Sequence, residues 1–166
     1  MSIAYWCILI AAALPYVWVA IAKSSAPGYN NRDPRGWIAR QDSPRVRNGY
    51  AAHLNAFEAF APFAAGVLMA QFAGVDHALI TQLALAFIAC RVLHGVFYLA
   101  AIPLMRSLAW LGGIACVVAL MVPAALPRFV RMPGDEARYV PIETVIRRQI
   151  AKLFPGYELL GGGAFR

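Results

Sequence analysis

The stretch YAAHLNAFEAFAPFAAGVLMAQFA, residues 50–73, is apolar and long enough to cross a bilayer, yet it carries a carboxylate at Glu58. A second stretch of the same kind, ALITQLALAFIACRVLHGVFYLAA at 78–101, carries Arg91. A charge at the centre of a membrane helix costs about 2.5–3.5 kcal/mol on insertion scales, so such charges are usually paired and usually mark a site. Consecutive helices joined by a short loop run antiparallel. Glu58 lies 8 residues into its stretch, and Arg91 lies 10 residues before the end of its own. At about 1.5 Å of rise per residue, both fall about 12–15 Å from the same face. The two charges are therefore expected to meet in a polar site inside a helical membrane protein, open toward one side.

The rest of the chain agrees with a membrane setting. Of its 166 residues, 61% are hydrophobic and 14% charged, with a mean hydropathy of +0.59. Soluble domains are usually about 45–50% apolar. Apolar runs near 3–22, 50–73, 78–101 and 108–126 each approach the roughly 20 residues that a spanning helix needs. Four transmembrane helices are expected, in one domain over residues 1–126. An open sheet would leave unpaired backbone in lipid, and the strict alternation of a membrane barrel is absent. Ala20-Ile21-Ala22 resembles a signal cleavage site. No Lys or Arg precedes the apolar run, however, so a retained first helix is predicted.

The net charge of +7 is a matter of topology and does not point to nucleic acid. Lys23, Arg32, Arg35, Arg40, Arg45 and Arg47 cluster in or beside the first loop. The turn Gly74-Val75-Asp76-His77 carries no Lys or Arg, and Arg106 precedes the fourth segment. The positive-inside rule puts the first and third loops in the cytoplasm. Arg128, Arg131, Arg138, Arg147, Arg148 and Lys152 in the tail pull the other way. Either the first three helices set the topology and the tail translocates, which is the preferred reading, or the fourth segment does not fully cross. Cys7, Cys90 and Cys116 sit in apolar runs without metal-ligand spacing, and no metal site is predicted.

Residues 24–44, rich in Ser, Pro, Gly, Asn and Asp, are read as a loop with turns. The second helix is predicted to start at Ser43-Pro44, with serine as cap and proline at the first helical position, and to run to Phe72. Pro15 kinks or packs the first helix. Pro62 deprives the carbonyl of Glu58 of its helical partner. That freed carbonyl either suits a polar pocket or marks a packing kink. Arg91, His94 and Tyr98, at spacings of three and four, share one face and read as a site lining. Gly112-Gly113 and other small residues assign the fourth segment to close helix packing. Residues 127–166 form a C-terminal extension. Within it, 141–154 is predicted as an amphipathic helix, with Ile142, Val145, Ile146, Ile150, Leu153 and Phe154 opposite Arg147, Arg148 and Lys152. Such a helix lies on lipid or docks on a partner.

The segment Ala52-His53-Leu54-Asn55-Ala56-Phe57-Glu58-Ala59-Phe60-Ala61-Pro62-Phe63 resembles the second-helix signature of the MAPEG family, the membrane-associated proteins in eicosanoid and glutathione metabolism. Arg91-Val92-Leu93-His94 with Tyr98 resembles the third-helix signature, and Arg106 falls where the family keeps a thiolate-stabilising arginine. The resemblance is specific as a set, since three motifs fall in order, and covers about residues 1–125. It implies an all-α homotrimer of four-helix subunits. Glutathione, the cosubstrate, would bind between subunits near the cytoplasmic side. Asn55 and Glu58 would hold its polar backbone or amino group, Arg91, His94 and Tyr98 would line the pocket, and Arg106 would stabilise the sulfur anion. The family's arginine one turn before the asparagine is Ala51 here. Arg47, a turn earlier still, would take its place if Gly49 lets the helix shift. The tyrosine that often sits beside the histidine is Leu93.

Two functions follow. The first is a glutathione-dependent transferase or peroxidase acting on hydrophobic electrophiles that enter from the lipid, in a multi-pass membrane protein of the cytoplasmic membrane if bacterial. The second is a non-catalytic accessory or structural subunit of a larger membrane complex, motivated by Ala51 and by the tail. A transporter is disfavoured, since no continuous polar path and no inverted repeat are visible.

Overall fold

The computed structural model describes residues 2–126, 129–132, 135–141, 144 and 146. Helices α1 (Ser2–Ser24), α3 (Pro44–Phe72), α4 (His77–Leu99) and α5 (Pro103–Ala125) are the long elements, and a short α2 (Pro34–Ala39) lies between α1 and α3. Three of them, over Ile3–Ser24, His77–Leu99 and Pro103–Ala125, are long and apolar enough to cross a membrane. The sequence suggests four such spans. At 29 residues α3 has the length, but Asn55, Glu58, Gln71 and the basic residues of its first turn dilute its apolar character.

Local chemistry sets the boundaries. Helix α3 starts with Pro44 in its first turn, as the sequence predicts, although the Ser43 side chain makes no capping hydrogen bond. The α3–α4 turn closes by two backbone bonds. Val75 N–H donates to the Ala70 carbonyl and Gly74 N–H to that of Gln71, each at 2.9 Å. Gly74 takes φ 68° there, which costs glycine little. Asp76 then caps α4, its Oδ1 accepting from the Leu79 N–H at 3.0 Å. The α4–α5 turn repeats this geometry without glycine. Ala101, at φ 56°, occupies the left-handed position, Ile102 N–H donates to the Phe97 carbonyl at 3.0 Å, and Pro103 opens α5.

Residues 34–39, expected in a loop, form α2 instead. The signal is in the sequence: Asp33 accepts from the Gly36 N–H at 2.9 Å, and Pro34 supplies a preformed first position. Trp37 and Ile38 of α2 bury against Val46 of α3, beneath Tyr29 and Tyr50.

Packing divides the bundle in two. The larger core joins Phe63, Val67 and Ala70 of α3 to Ile80, Ala84 and Phe87 of α4, and to Cys116, Val117 and Leu120 of α5. The Phe63 and Phe87 rings stack with centroids 3.9 Å apart, 5° from parallel. A smaller core of Leu14, Trp18, Ala52 and Ala56 lies where α1, α3 and α4 meet near Tyr98. Close approaches occur at glycines. A Cβ on Gly49 would stand 3.0 Å from that of Ala22, so Gly49 serves α1–α3 contact. Large apolar side chains remain exposed along α1 and α5, among them Trp6, Leu9, Leu104, Leu108, Leu111 and Val118. That belt suits lipid or neighbouring helices.

Beyond the helices, residues from Ala125 onward form a separate compact unit. An antiparallel hairpin of β1 (Phe129–Met132) and β2 (Asp135–Pro141) pairs Val130 with Val140 and Arg131 with Tyr139. This strand pair was not expected in an extension read only for helix. Most of the predicted amphipathic helix at 141–154 lies outside the described residues.

Candidate functional site

Asn55 and Glu58 of α3 and Arg91 and His94 of α4 come together at the contact between these two helices. Arg91 and His94 are the buried polar groups of the chain's described residues, at 4% and 3% exposure. The Arg91 Nη2 donates to Asn55 Oδ1 at 2.6 Å and to the Asn55 backbone carbonyl at 3.3 Å. It also donates to His94 Nδ1 at 3.2 Å. A guanidinium has no acceptor, so Nδ1 must accept and the histidine proton sits on Nε2. Asn55 in turn donates from Nδ2 to Glu58 Oε2 at 3.3 Å.

The expected Glu58–Arg91 pair is therefore corrected. The two residues share a level, as their depths predict, but no ion pair joins them. Asn55 stands between, one face toward the guanidinium and the other toward the carboxylate. A three-residue step on a helix puts Asn55 and Glu58 side by side, which leaves the asparagine nearer to Arg91. Glu58 itself is exposed in the single chain. The buried Nε of Arg91 has no partner.

The array continues through aromatic contacts. His94 meets the Tyr98 ring edge-on, with centroids 4.9 Å apart. The Arg106 guanidinium carbon lies 4.7 Å from the centre of the Tyr98 ring. The apolar run at 108–126 leaves Arg106 ahead of the fourth helix, but α5 starts at Pro103, which puts Arg106 in the first helical turn. A cation is unfavourable at the positive end of a helix. The Tyr98 face offsets part of that cost, since cation–π contacts contribute about 0.5–1 kcal/mol at exposed sites. The tight Ala101 turn is what brings Arg106 back over Tyr98.

Arg47 stays apart. It is exposed on α3 and makes none of the contacts that link the other six residues. Ala51 offers no charge in its place.

A concavity elsewhere, between α1, α2 and α3, has no counterpart in the sequence reading. It measures about 440 Å³ and is lined by Tyr16, Lys23, Arg35, Tyr50, His53 and Phe57, among others. His53 donates from Nδ1 to the Pro15 carbonyl at 2.8 Å and stacks on Tyr50 at 5.7 Å. Its signal in the sequence is the spacing of Tyr50, His53 and Phe57, which repeats one helix face.

What the polar array can do is bounded by its groups. Glu58 can accept from a ligand ammonium. Arg91 presents a buried, permanently charged donor, and Arg106 a cation free to meet an anion beside a phenol.

Comparison with known proteins gives two matches that overlap over residues 114–126. The profile of the polyphosphate kinase middle domain matches residues 114–166. A polyphosphate kinase of Erythrobacter litoralis (strain HTCC2594) is 49% identical over 55 residues, 33% of this chain and 8% of that protein. That of Campylobacter jejuni (strain RM1221) is 40% identical over 47 residues, 28% of this chain and 6% of that protein. The chain thus spans less than a tenth of the length of these curated relatives. No solved structure matches. The helical part, which holds every residue of the polar array, matches the profile of the MAPEG family over residues 3–126. By that match, three quarters of its length, the chain belongs to the MAPEG family.

Proposed function

We propose that the protein is a glutathione-dependent membrane transferase or peroxidase acting on hydrophobic electrophiles. MAPEG membership supports a glutathione-related membrane function. The observation that carries the finer reading is the unbroken series Glu58, Asn55, Arg91, His94, Tyr98 and Arg106, held by apolar helices. Glutathione brings an ammonium, two carboxylates and a thiol. Glu58 suits the ammonium, Arg91 and Asn55 a carboxylate or amide, and Arg106 the sulfur. The Arg91 Nε is buried and has no hydrogen-bond partner among the described residues.

The chemistry resides in the sulfur anion. A free thiol has a pKa near 8.5, and the thiolate is the nucleophile. Each unit of lowering needs about 1.4 kcal/mol of differential interaction. A guanidinium within about 4–6 Å supplies one to three units. Arg106 lies in the first turn of α5, whose positive end favours the same anion. In conjugation the thiolate forms a carbon–sulfur bond, and the leaving group departs with its bonding pair. In peroxide reduction the thiolate takes the terminal oxygen, the alkoxide collects a proton, and a second glutathione converts the sulfenic acid to disulfide and water.

In this reading α3 spans the membrane beside the other three long helices, the subunits form a homotrimer, and glutathione enters from the cytoplasmic side. Exposed Glu58 would then face a neighbouring subunit. The test is turnover by the purified protein with glutathione and either chlorodinitrobenzene or an organic hydroperoxide. Activity with one separates transferase from peroxidase; activity with neither, despite glutathione binding, removes the catalytic reading.

Ala51 and the tail's likeness to a kinase segment favour a second reading, an accessory membrane subunit that presents its tail to a partner. It predicts co-purification of other proteins that is lost on deleting residues 127–166. Isolation of a bare trimer from gently solubilised native membranes would count against it.

A further inference from the structure

Beside the polar array stands a large side chain that makes none of the array's hydrogen bonds. Trp18 of α1 is 6% exposed and packs with Leu14, Ala52 and Ala56, against Tyr98 and Leu99. Ala52 and Ala56 flank Asn55 on α3. On α4 the indole meets Gly95, the residue after His94 and one turn beyond Arg91. A Cβ on Gly95 would lie 2.2 Å from the indole Cζ2 and 2.3 Å from Cε2. Carbon atoms settle at about 3.5–4.0 Å. Only a bare Cα fits beneath the indole.

We propose that Trp18 is a positioning residue of this site. Its ring, matched to the gap at Gly95, sets how far α4 stands from the α1–α3 pair, and so whether Arg91 reaches Asn55. The hydrogen bond between them, at 2.6 Å, is short. A displacement of about 1 Å would carry it beyond hydrogen-bond range. Ala52, Ala56 and Gly95 are small, and Trp18 is the largest side chain at this three-helix junction. Farther along α3 and α4, the Phe63–Phe87 stack sits within the larger core. The inference rests on the glutathione reading for its functional consequence, but not for its geometry.

The test is a size exchange. Gly95→Ala overfills the junction and Trp18→Leu empties it. The double variant Gly95→Ala with Trp18→Leu removes the atoms that clash with the new methyl group. On the folded, purified protein each single change is expected to weaken glutathione binding about tenfold and to raise the pH midpoint of the bound thiolate. The double variant is expected to return both to within about threefold and a few tenths of a pH unit of the parent. Singles that lower the melting temperature but leave affinity and midpoint unchanged would overturn the inference, because Trp18 would then be ordinary packing. A double variant no better than Gly95→Ala would overturn it too.

If the parent binds no glutathione, the functional reading fails and the geometry is judged alone. Spin labels at exposed Val17 and Leu93, in a chain with its three cysteines replaced by alanine, then report α1–α4 separation. An increase of about 1 Å in Gly95→Ala, reversed in the double variant, supports the positioning role; an unchanged separation removes it.

Discussion

The contact between α3 and α4 has two halves built on opposite principles. Near one end, Phe63 and Phe87 lie face to face among fully buried aliphatic groups, with α5 closing over them. Near the other, Asn55 and Arg91 meet through hydrogen bonds, and part of the array stays open. The same pair of helices thus has a dry, ring-stacked clamp and a polar, half-finished site. The clamp needs only packing. In lipid, where tails are as apolar as leucine, packing and hydrogen bonds are what hold helices together. The site instead keeps an orphaned donor at Arg91 Nε and an exposed Glu58. Stability and chemistry are therefore separable along one interface.

The largest expected effect tests the clamp. Phe63→Ala removes the stack and leaves a cavity, and buried Phe→Ala changes cost about 3–5 kcal/mol. The melting temperature in detergent should fall sharply, while glutathione affinity of the protein that remains folded should hardly change. Equal losses in both would mean that the halves are not separable.

Arg91→Met is the matching change in the site. Hydrogen bonds to a charged group contribute about 1.5–3 kcal/mol, so calorimetry should show glutathione affinity lower by about 10- to 100-fold. Stability should move less than in Phe63→Ala. Glu58→Gln probes the edge of the same array. It keeps an acceptor but loses the charge, and a loss of about 3- to 10-fold in affinity is expected, confined to ligands with a free ammonium. An N-acetylated glutathione that binds parent and variant alike would confirm that assignment.

The smallest effect sharpens the boundary of the polar half. Ala101 holds a left-handed conformation that costs a residue with a Cβ about 1 kcal/mol. Ala101→Gly relieves it at the turn that carries Arg106 to Tyr98. A rise in melting temperature of a few degrees is expected, with affinity unchanged.

Much of the polar half was legible in the sequence because charge inside an apolar helix is rare. Glu58 and Arg91 announced themselves, and counting residues along two helices placed them at one depth. What counting could not supply was azimuth. A three-residue difference on α3 decides that Asn55, and not Glu58, meets the guanidinium. Arg106 was found by its resemblance to a family motif, yet its helical setting depended on Pro103 starting α5 earlier than the apolar run suggested. The Asp33-Pro34 start of α2 was readable but was obscured by the polar composition around it. Trp18 gave no signal, since a tryptophan in an apolar helix is unremarkable until Gly95 is seen beneath it. The hairpin at 129–141 was hidden because its strands are short and carry charges. The tail's likeness to a kinase segment came from comparison alone.

The central claim is that the polar array from Glu58 to Arg106 activates a thiol. It is tested most directly by ultraviolet difference titration of the detergent-purified protein with glutathione, beside Arg106→Ala. The account predicts a saturable thiolate band in the parent, with a midpoint at least one unit below the free thiol's pKa of about 8.5. The band persists above that midpoint and fades as pH falls through it. In Arg106→Ala it should be lost at neutral pH while glutathione still binds. A band of equal size and midpoint in both proteins, or saturable binding with no band in either, would contradict the account.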